Sequence, residues 1–157
     1  PNLVDGVEVT YFSRITKDHT HFSPRLLWGL RKEILKHDKE KNLIIHIHSW
    51  WNLVSIFSCL IAKWYNVPIL LSPRGMLTAY TLTNRNNFAK KTIHQFIGKN
   101  LLSNCNVHVT SYQEKNDVAD IVTPKSITII PNLVNFSTKS LELKMSNFKQ
   151  LKLIYLY

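Results

Sequence analysis

The segment Val67 to Leu77, Val-Pro-Ile-Leu-Leu-Ser-Pro-Arg-Gly-Met-Leu, narrows the choice of folds more than any other part of the chain. Its apolar run, Ile69-Leu70-Leu71, is too short for a free-standing helix, and Pro68 bars a helix from running through from the left. A short run that is apolar at every position and closed by turn residues reads as a strand buried on both faces of a parallel sheet. In open α/β sheets, ligands bind just beyond the carboxyl ends of the strands. Arg74 and Gly75 stand at that point. Gly75 permits φ > 0 or a close approach of backbone to ligand. Arg74 presents a fixed fork of donors suited to phosphate or carboxylate. The same residues also fit a helix-capping turn that carries a surface arginine.

The neighbouring segments extend this pattern. Val7 to Phe12 is β-branched and aromatic and reads as a strand. Ser23-Pro24 opens a helix, with Ser as N-cap and Pro at the first helical position. Leu27, Leu30 and Ile34 form its buried stripe. Leu43 to His48 is a second strand, Ser49 to Asn52 a turn, and Leu53 to Tyr65 an apolar helix. The strand Val67 to Ser72 follows. Strands and helices alternating over short connections imply an α/β fold, a Rossmann-like parallel sheet flanked by helices. Further on, residues 84–102 read as a basic amphipathic helix, with Ala89, Ile93, Phe96, Ile97 and Leu101 inward and Arg85, Lys90, Lys91 and Lys99 outward. Asn106 to Thr110 is a fourth strand. Ser111 and Glu114 make a capping box that opens a helix to about Ile121. Ser126 to Ile130 is a fifth strand, ended by Pro131-Asn132. Residues 136–150 turn polar and read as a linker. The alternating run 151–157 is expected to be the first strand of a second domain, which makes the chain a piece of a longer protein.

Charge narrows the partners. Twenty basic and ten acidic side chains leave a formal net charge of +10, which favours an anionic partner: nucleic acid, an anionic membrane surface or phosphorylated small molecules. Hydrophobic residues at 45% and charged residues at 19% are a globular mix rather than a disordered one. Cys59 and Cys105 lack metal-ligand spacing and read as reduced structural thiols, which suits a cytoplasmic location. The longest apolar stretch, Leu53 to Ala62, is shorter than the roughly 20 residues a membrane span needs. Neither Gly-x-Gly-x-x-Gly nor Gly-x-x-x-x-Gly-Lys occurs, so the dinucleotide and P-loop fingerprints are excluded.

The strand ends, taken in order, carry a more specific signal: His46-Ile-His48-Ser-Trp-Trp, Ser72-Pro-Arg-Gly-Met-Leu77, Lys90-Lys91, Val109-Thr-Ser-Tyr-Gln-Glu114 and Ile130-Pro-Asn132. Over about Val7 to Asn135 the series resembles the N-terminal half of a family 4 glycosyltransferase, closest to the bacterial members that build lipopolysaccharide and capsule. The resemblance implies a GT-B fold of two Rossmann-like domains. Residues 1–135 would be the acceptor-side domain, and the donor-binding domain would begin at 151. It further implies a retaining, metal-independent hexosyl transfer from a nucleotide sugar to a saccharide or lipid-linked acceptor, with no cofactor. The paired glutamates of the family would lie outside this chain, as would the first strand and its Gly-rich loop. Two departures stand out. Arg74 occupies a cleft step where relatives often carry His, and Leu133 replaces the Gly that usually follows Pro131 and Asn132 at the hinge.

The candidate substrate- and acceptor-binding residues are therefore His48, Trp50, Arg74, Gly75, Lys90 and Lys91. Arg74 is the sole candidate for a part in catalysis, and Pro131 and Asn132 are the candidate hinge. His46 and His48 share a strand face, but no third ligand for zinc is evident. His46 reads as a hydrogen-bonded core residue, whereas His48 fits either a core role or an acceptor contact. Trp50 and Trp51 can stack on a sugar or a base, or cover the sheet edge, and one of them is expected at the cleft. Ser111 reads as an N-cap before it reads as a ligand. The helix over 84–102 reads as a solvated face or as a contact for anionic lipid at the inner face of the plasma membrane. A non-catalytic glycan-binding or scaffold protein and a basic nucleic-acid-binding module are the competing classes. No nucleic-acid motif supports the latter, so no nucleic acid is expected as a partner.

Overall fold

The computed structural model describes residues 2–16, 21–37, 42–83, 92, 94–132 and 152–156. The chain opens with a hairpin, β1 (Asn2–Val4) paired antiparallel with β2 (Val7–Val9). Five parallel strands then build the main sheet: β3 (Leu43–His48), β4 (Ile69–Ser72), β5 (Asn106–Val109), β6 (Ser126–Ile129) and β7 (Lys152–Leu156). Their order across the sheet is β6-β5-β4-β3-β7. Helices α1 (Pro24–His37), α2 (Leu53–Trp64), α3 (Ala79–Thr83), α4 (Lys99–Leu102) and α5 (Tyr112–Ile121) flank it. This is the α/β Rossmann-like architecture the alternation implies.

From β3 to β6 each connection steps one strand in the same direction. Crossovers of one hand that step one way lay their helices on one face. Ile45, Ile47, Leu71, Val107 and Val109 line that face and are buried with Ile56, Cys59 and Ala62 of α2, Leu101 and Leu102 of α4, and Val118 of α5. The intervening residues Ile44, His46, Leu70, Asn106 and His108 point the other way and are only half-buried. The expected burial of β4 therefore holds on the helix-covered face, at Ile69 and Leu71, whereas on the other face Ser72 is buried and Leu70 only half-buried.

Local signals fix the helices where composition placed them. Ser23 starts α1, and Leu30, Ile34 and His37 are its buried stripe. Asn52 caps α2 by accepting the Ser55 N–H at 2.7 Å, and Asn66, at φ 55°, ends it. Cys59 and Cys105 are free, buried thiols, and the Cys105 hydrogen bond together with burial pushes the Cys59 thiol up.

Two expectations need correction. Val7–Val9 does not join the parallel sheet, because Asp5 and Gly6, both at positive φ, close a two-residue turn that folds β2 back on β1. Phe96 and Ile97 do not face inward. Residues His94–Gly98 form a wide turn of π-helix, which breaks the 3.6-residue spacing and leaves Phe96 79% exposed while Leu101 and Leu102 stay buried. The strand expected at the end of the chain is present. Lys152–Leu156 pairs in parallel with Leu43–Ile47, where it covers the edge that β3 would otherwise present. The linker expected at 136–150 lies outside the described residues.

Candidate functional site at the carboxyl ends of the strands

The carboxyl ends of β3, β4, β5 and β6 converge through side chains rather than through a glycine-rich loop. A string of hydrogen bonds crosses the half-buried face one strand at a time. His46 Nε2 lies 2.9 Å from Ser72 Oγ, Ser72 Oγ lies 3.0 Å from His108 Nδ1, and His108 Nε2 lies 3.0 Å from the Ile130 carbonyl. A carbonyl only accepts, so His108 Nε2 carries a hydrogen. With neutral rings, Ser72 then donates to His108 Nδ1 and accepts from His46 Nε2. Burial, followed by the charges of His108 and Arg74, lowers the His46 pKa.

Beyond this string lies Arg74. It is exposed, and its backbone sits at φ 53°. Five non-glycine residues among the described ones have positive φ, and of these Asp5, His21 and Asn66 are of types that tolerate the left-handed region. Ser49 and Arg74 are not; Ser49 follows directly on β3, and Arg74 follows β4 after Pro73, at the same end of the sheet. Strain of this kind, about 1–3 kcal/mol per residue, persists where surrounding contacts over-determine it, and it clusters at functional sites.

Several of those contacts are visible. Asn52 Nδ2 donates to Ser49 Oγ at 2.8 Å, and the Ser49 N–H donates to the Ser72 carbonyl at 2.9 Å. The turn Pro73–Met76 is closed by the Met76 N–H on the Pro73 carbonyl at 3.1 Å. Trp51 Nε1 and Thr81 Oγ1 both donate to the Met76 carbonyl, at 2.6 and 2.7 Å. On the other side the Gly75 N–H, at φ 72°, donates to Glu114 Oε1 at 2.7 Å.

Arg74 spends two of its five donors on neutral groups. Nη1 donates to Asn132 Oδ1 at 2.8 Å, and Nε approaches His48 Nδ1 at 3.5 Å. Among the described residues the ion pairs join Glu33 to Lys36 and His37, and none involves Arg74. His48 is buried, and its pKa is lowered to about 4 by desolvation, then by His46, Arg74 and His108. At neutral pH it is an acceptor towards the guanidinium, not a second cation. Among the described residues no group of three or more His, Cys, Asp or Glu could hold a metal ion, and no helix is long and apolar enough to cross a membrane.

The structure brings His48, Arg74, Gly75 and Asn132 to one place, with Pro131 exposed beside Asn132. It does not bring Trp50. That ring is 0% exposed within the core, where its large apolar surface is best buried, and it cannot stack on a ligand. Trp51, half-buried, is the tryptophan that reaches the Arg74 turn. Lys90 and Lys91 lie outside the described residues. Sequence reasoning placed Thr110 at a strand end but missed His108 and the second duty of Glu114. The capping box forms only by half. Ser111 Oγ accepts the Glu114 N–H at 3.1 Å, but the Glu114 carboxylate reaches past Ser111 to the Thr110 N–H and Oγ1, at 2.8 and 3.0 Å, and on to Gly75.

The family model for Glycosyltransferase Family 4 matches residues 1–138. No curated protein and no solved structure matches the chain. The chain belongs to glycosyltransferase family 4, and glycosyl transfer from a nucleotide sugar to an acceptor is its activity class.

Proposed function

We propose that this domain serves a retaining, metal-independent hexosyltransferase that extends a saccharide or lipid-linked acceptor in bacterial cell-surface polysaccharide synthesis. The observation that carries the reading is Arg74, an exposed guanidinium held at a strand's carboxyl end by neutral partners. In glycosyl transfer the bond from the anomeric carbon to the nucleotide diphosphate breaks, and a bond to an acceptor hydroxyl forms as that hydroxyl gives up its proton. Charge accumulates on the departing diphosphate, and a pre-placed cation stabilises it without reorganising. Arg74 supplies such a cation from the acceptor side, towards the diphosphate or towards an acidic acceptor. The two side chains that its guanidinium bonds, His48 and Asn132, are neutral, and no ion pair among the described residues involves it.

In the full-length protein, assayed against a panel of nucleotide hexoses, Arg74→Ala is expected to lower kcat/KM at least tenfold, about 1.4 kcal/mol. Unchanged kinetics would remove Arg74 from the reaction. The net charge of +10 supports a peripheral site of action at the cytoplasmic face of an anionic membrane. Flotation with vesicles should show more protein on anionic than on neutral lipid, and equal binding to both would end that part of the reading.

A further inference from the structure

Arginine is a poor residue for the backbone it adopts. A left-handed conformation costs an L-residue with a Cβ roughly 1–2 kcal/mol, and Gly75 beside it relieves only its own share. The Met76 N–H closes the turn on the Pro73 carbonyl, and Trp51 and Thr81 hold the Met76 carbonyl, but none of these bonds grips the Arg74-Gly75 pair itself. The group that does lies 39 residues further on. Glu114, only 7% exposed, belongs to the first turn of α5, whose N-terminus is fixed by Ser111. One of its oxygens takes the Gly75 N–H, and the other takes the Thr110 N–H and hydroxyl. All three bonds use the side chain as an acceptor, so a single carboxylate ties the turn after β4 to the end of β5.

We propose that Glu114 is the positioning residue for Arg74. It holds the Gly75 amide, which locks the left-handed pair and aims the guanidinium across the strand ends towards His48 and Asn132. Glu114 touches no reacting atom; it acts through the turn. The inference rests on the reading of Arg74 as the anion-binding group, and it adds how that group is held. A glutamine at 114 keeps the size and one acceptor oxygen, but it turns an NH2 towards one of the two amides that the carboxylate serves.

The test compares Arg74→Ala, Glu114→Gln, the double variant and Thr110→Ala in the full-length protein. Two quantities are read: hydrogen exchange at the Gly75 amide, and the Kd for inorganic pyrophosphate by calorimetry. Glu114→Gln is expected to speed Gly75 exchange about tenfold and to weaken pyrophosphate at least fivefold. The double variant should bind no more weakly than Arg74→Ala alone. Thr110→Ala spares the Gly75 bond and should leave both readouts within twofold. If the Glu114→Gln loss persists in full when Arg74 is already absent, Glu114 acts through the fold at large and the inference is overturned. Unchanged Gly75 exchange overturns it as well. If Arg74→Ala leaves pyrophosphate affinity unaltered, the anion-binding reading fails, and Gly75 exchange alone then decides whether Glu114 sets the turn. Should Glu114→Gln fail to fold, Glu114→Asp, one methylene short of Gly75 yet still a carboxylate on α5, must show the same two effects.

Discussion

Two turns in this protein share a backbone and little else. Asp5-Gly6 and Arg74-Gly75 each place a non-glycine residue and then a glycine at positive φ, 49° and 80° in the first and 53° and 72° in the second. The first joins two exposed strands of a hairpin and is made of residues that favour it, so its shape is a local property. The second carries an arginine that does not favour it, and the shape is imposed from outside by Trp51, Thr81 and Glu114. A turn that follows its own chemistry needs no support. A turn that opposes it is informative, because the rest of the molecule is arranged to keep it.

Glycine substitution breaks the comparison most sharply. Arg74→Gly keeps the backbone and removes the guanidinium, so kcat/KM of the full-length protein should fall at least tenfold while urea stability stays within about 1 kcal/mol of the parent. Asp5→Gly should leave kcat/KM unchanged. A loss of activity equal in both variants would mean that the two turns are not different in kind.

Acid should separate the two regions next. His48 behind Arg74 takes up its proton near pH 4 in the folded protein and near 6.5 when unfolded. Between these values the unfolded chain binds more protons, so stability rises with pH across the window and is lost as pH falls through it. His46 acts in the same direction. Urea unfolding at several pH values should show this slope, and His48→Gln should flatten it. A slope that survives the substitution intact would place the titration elsewhere.

The smallest effect sharpens the likeness. A Cβ added at Gly6 or at Gly75 meets nothing within 4 Å, so Gly6→Ala and Gly75→Ala should each cost about 1 kcal/mol from φ alone. Gly75→Asn should cost less, since asparagine tolerates the left-handed region. Thermal melts check both, and a much larger loss at Gly75 would reveal a contact beyond the backbone.

The sequence made the sheet legible because its strands are short apolar runs that end in turn chemistry, and its helices because their stripes and caps are local. Leu30 and Ile34, Ser23 and Ser111 all stand where periodicity and capping put them. Arg74, Gly75 and His48 were legible as neighbours because His48 ends β3 and Arg74-Gly75 sits in the turn after β4. Trp50 and Trp51 could not be told apart, since adjacent residues at a strand end differ only in which way the turn throws them. The hairpin was hidden in plain Asp-Gly chemistry that the Val7–Phe12 reading passed over. Phe96 and Ile97 escaped because a π-turn leaves no mark in an apolar stripe. His108 and Glu114 act on partners 36 and 39 residues away, and only the sheet order makes them neighbours.

One consequence of the string His46–Ser72–His108 lies in the arithmetic of a single hydrogen. The serine hydroxyl has one to give and sits between two rings. Since His108 Nε2 serves the Ile130 carbonyl, that hydrogen goes to His108 Nδ1, and towards His46 the hydroxyl can only accept. The polarity of the bond between β3 and β4 is therefore set on β5. A ring turned over on one strand would reverse the bond on the next, so the three strands share one ledger of hydrogens, kept by a hydroxyl that never changes charge.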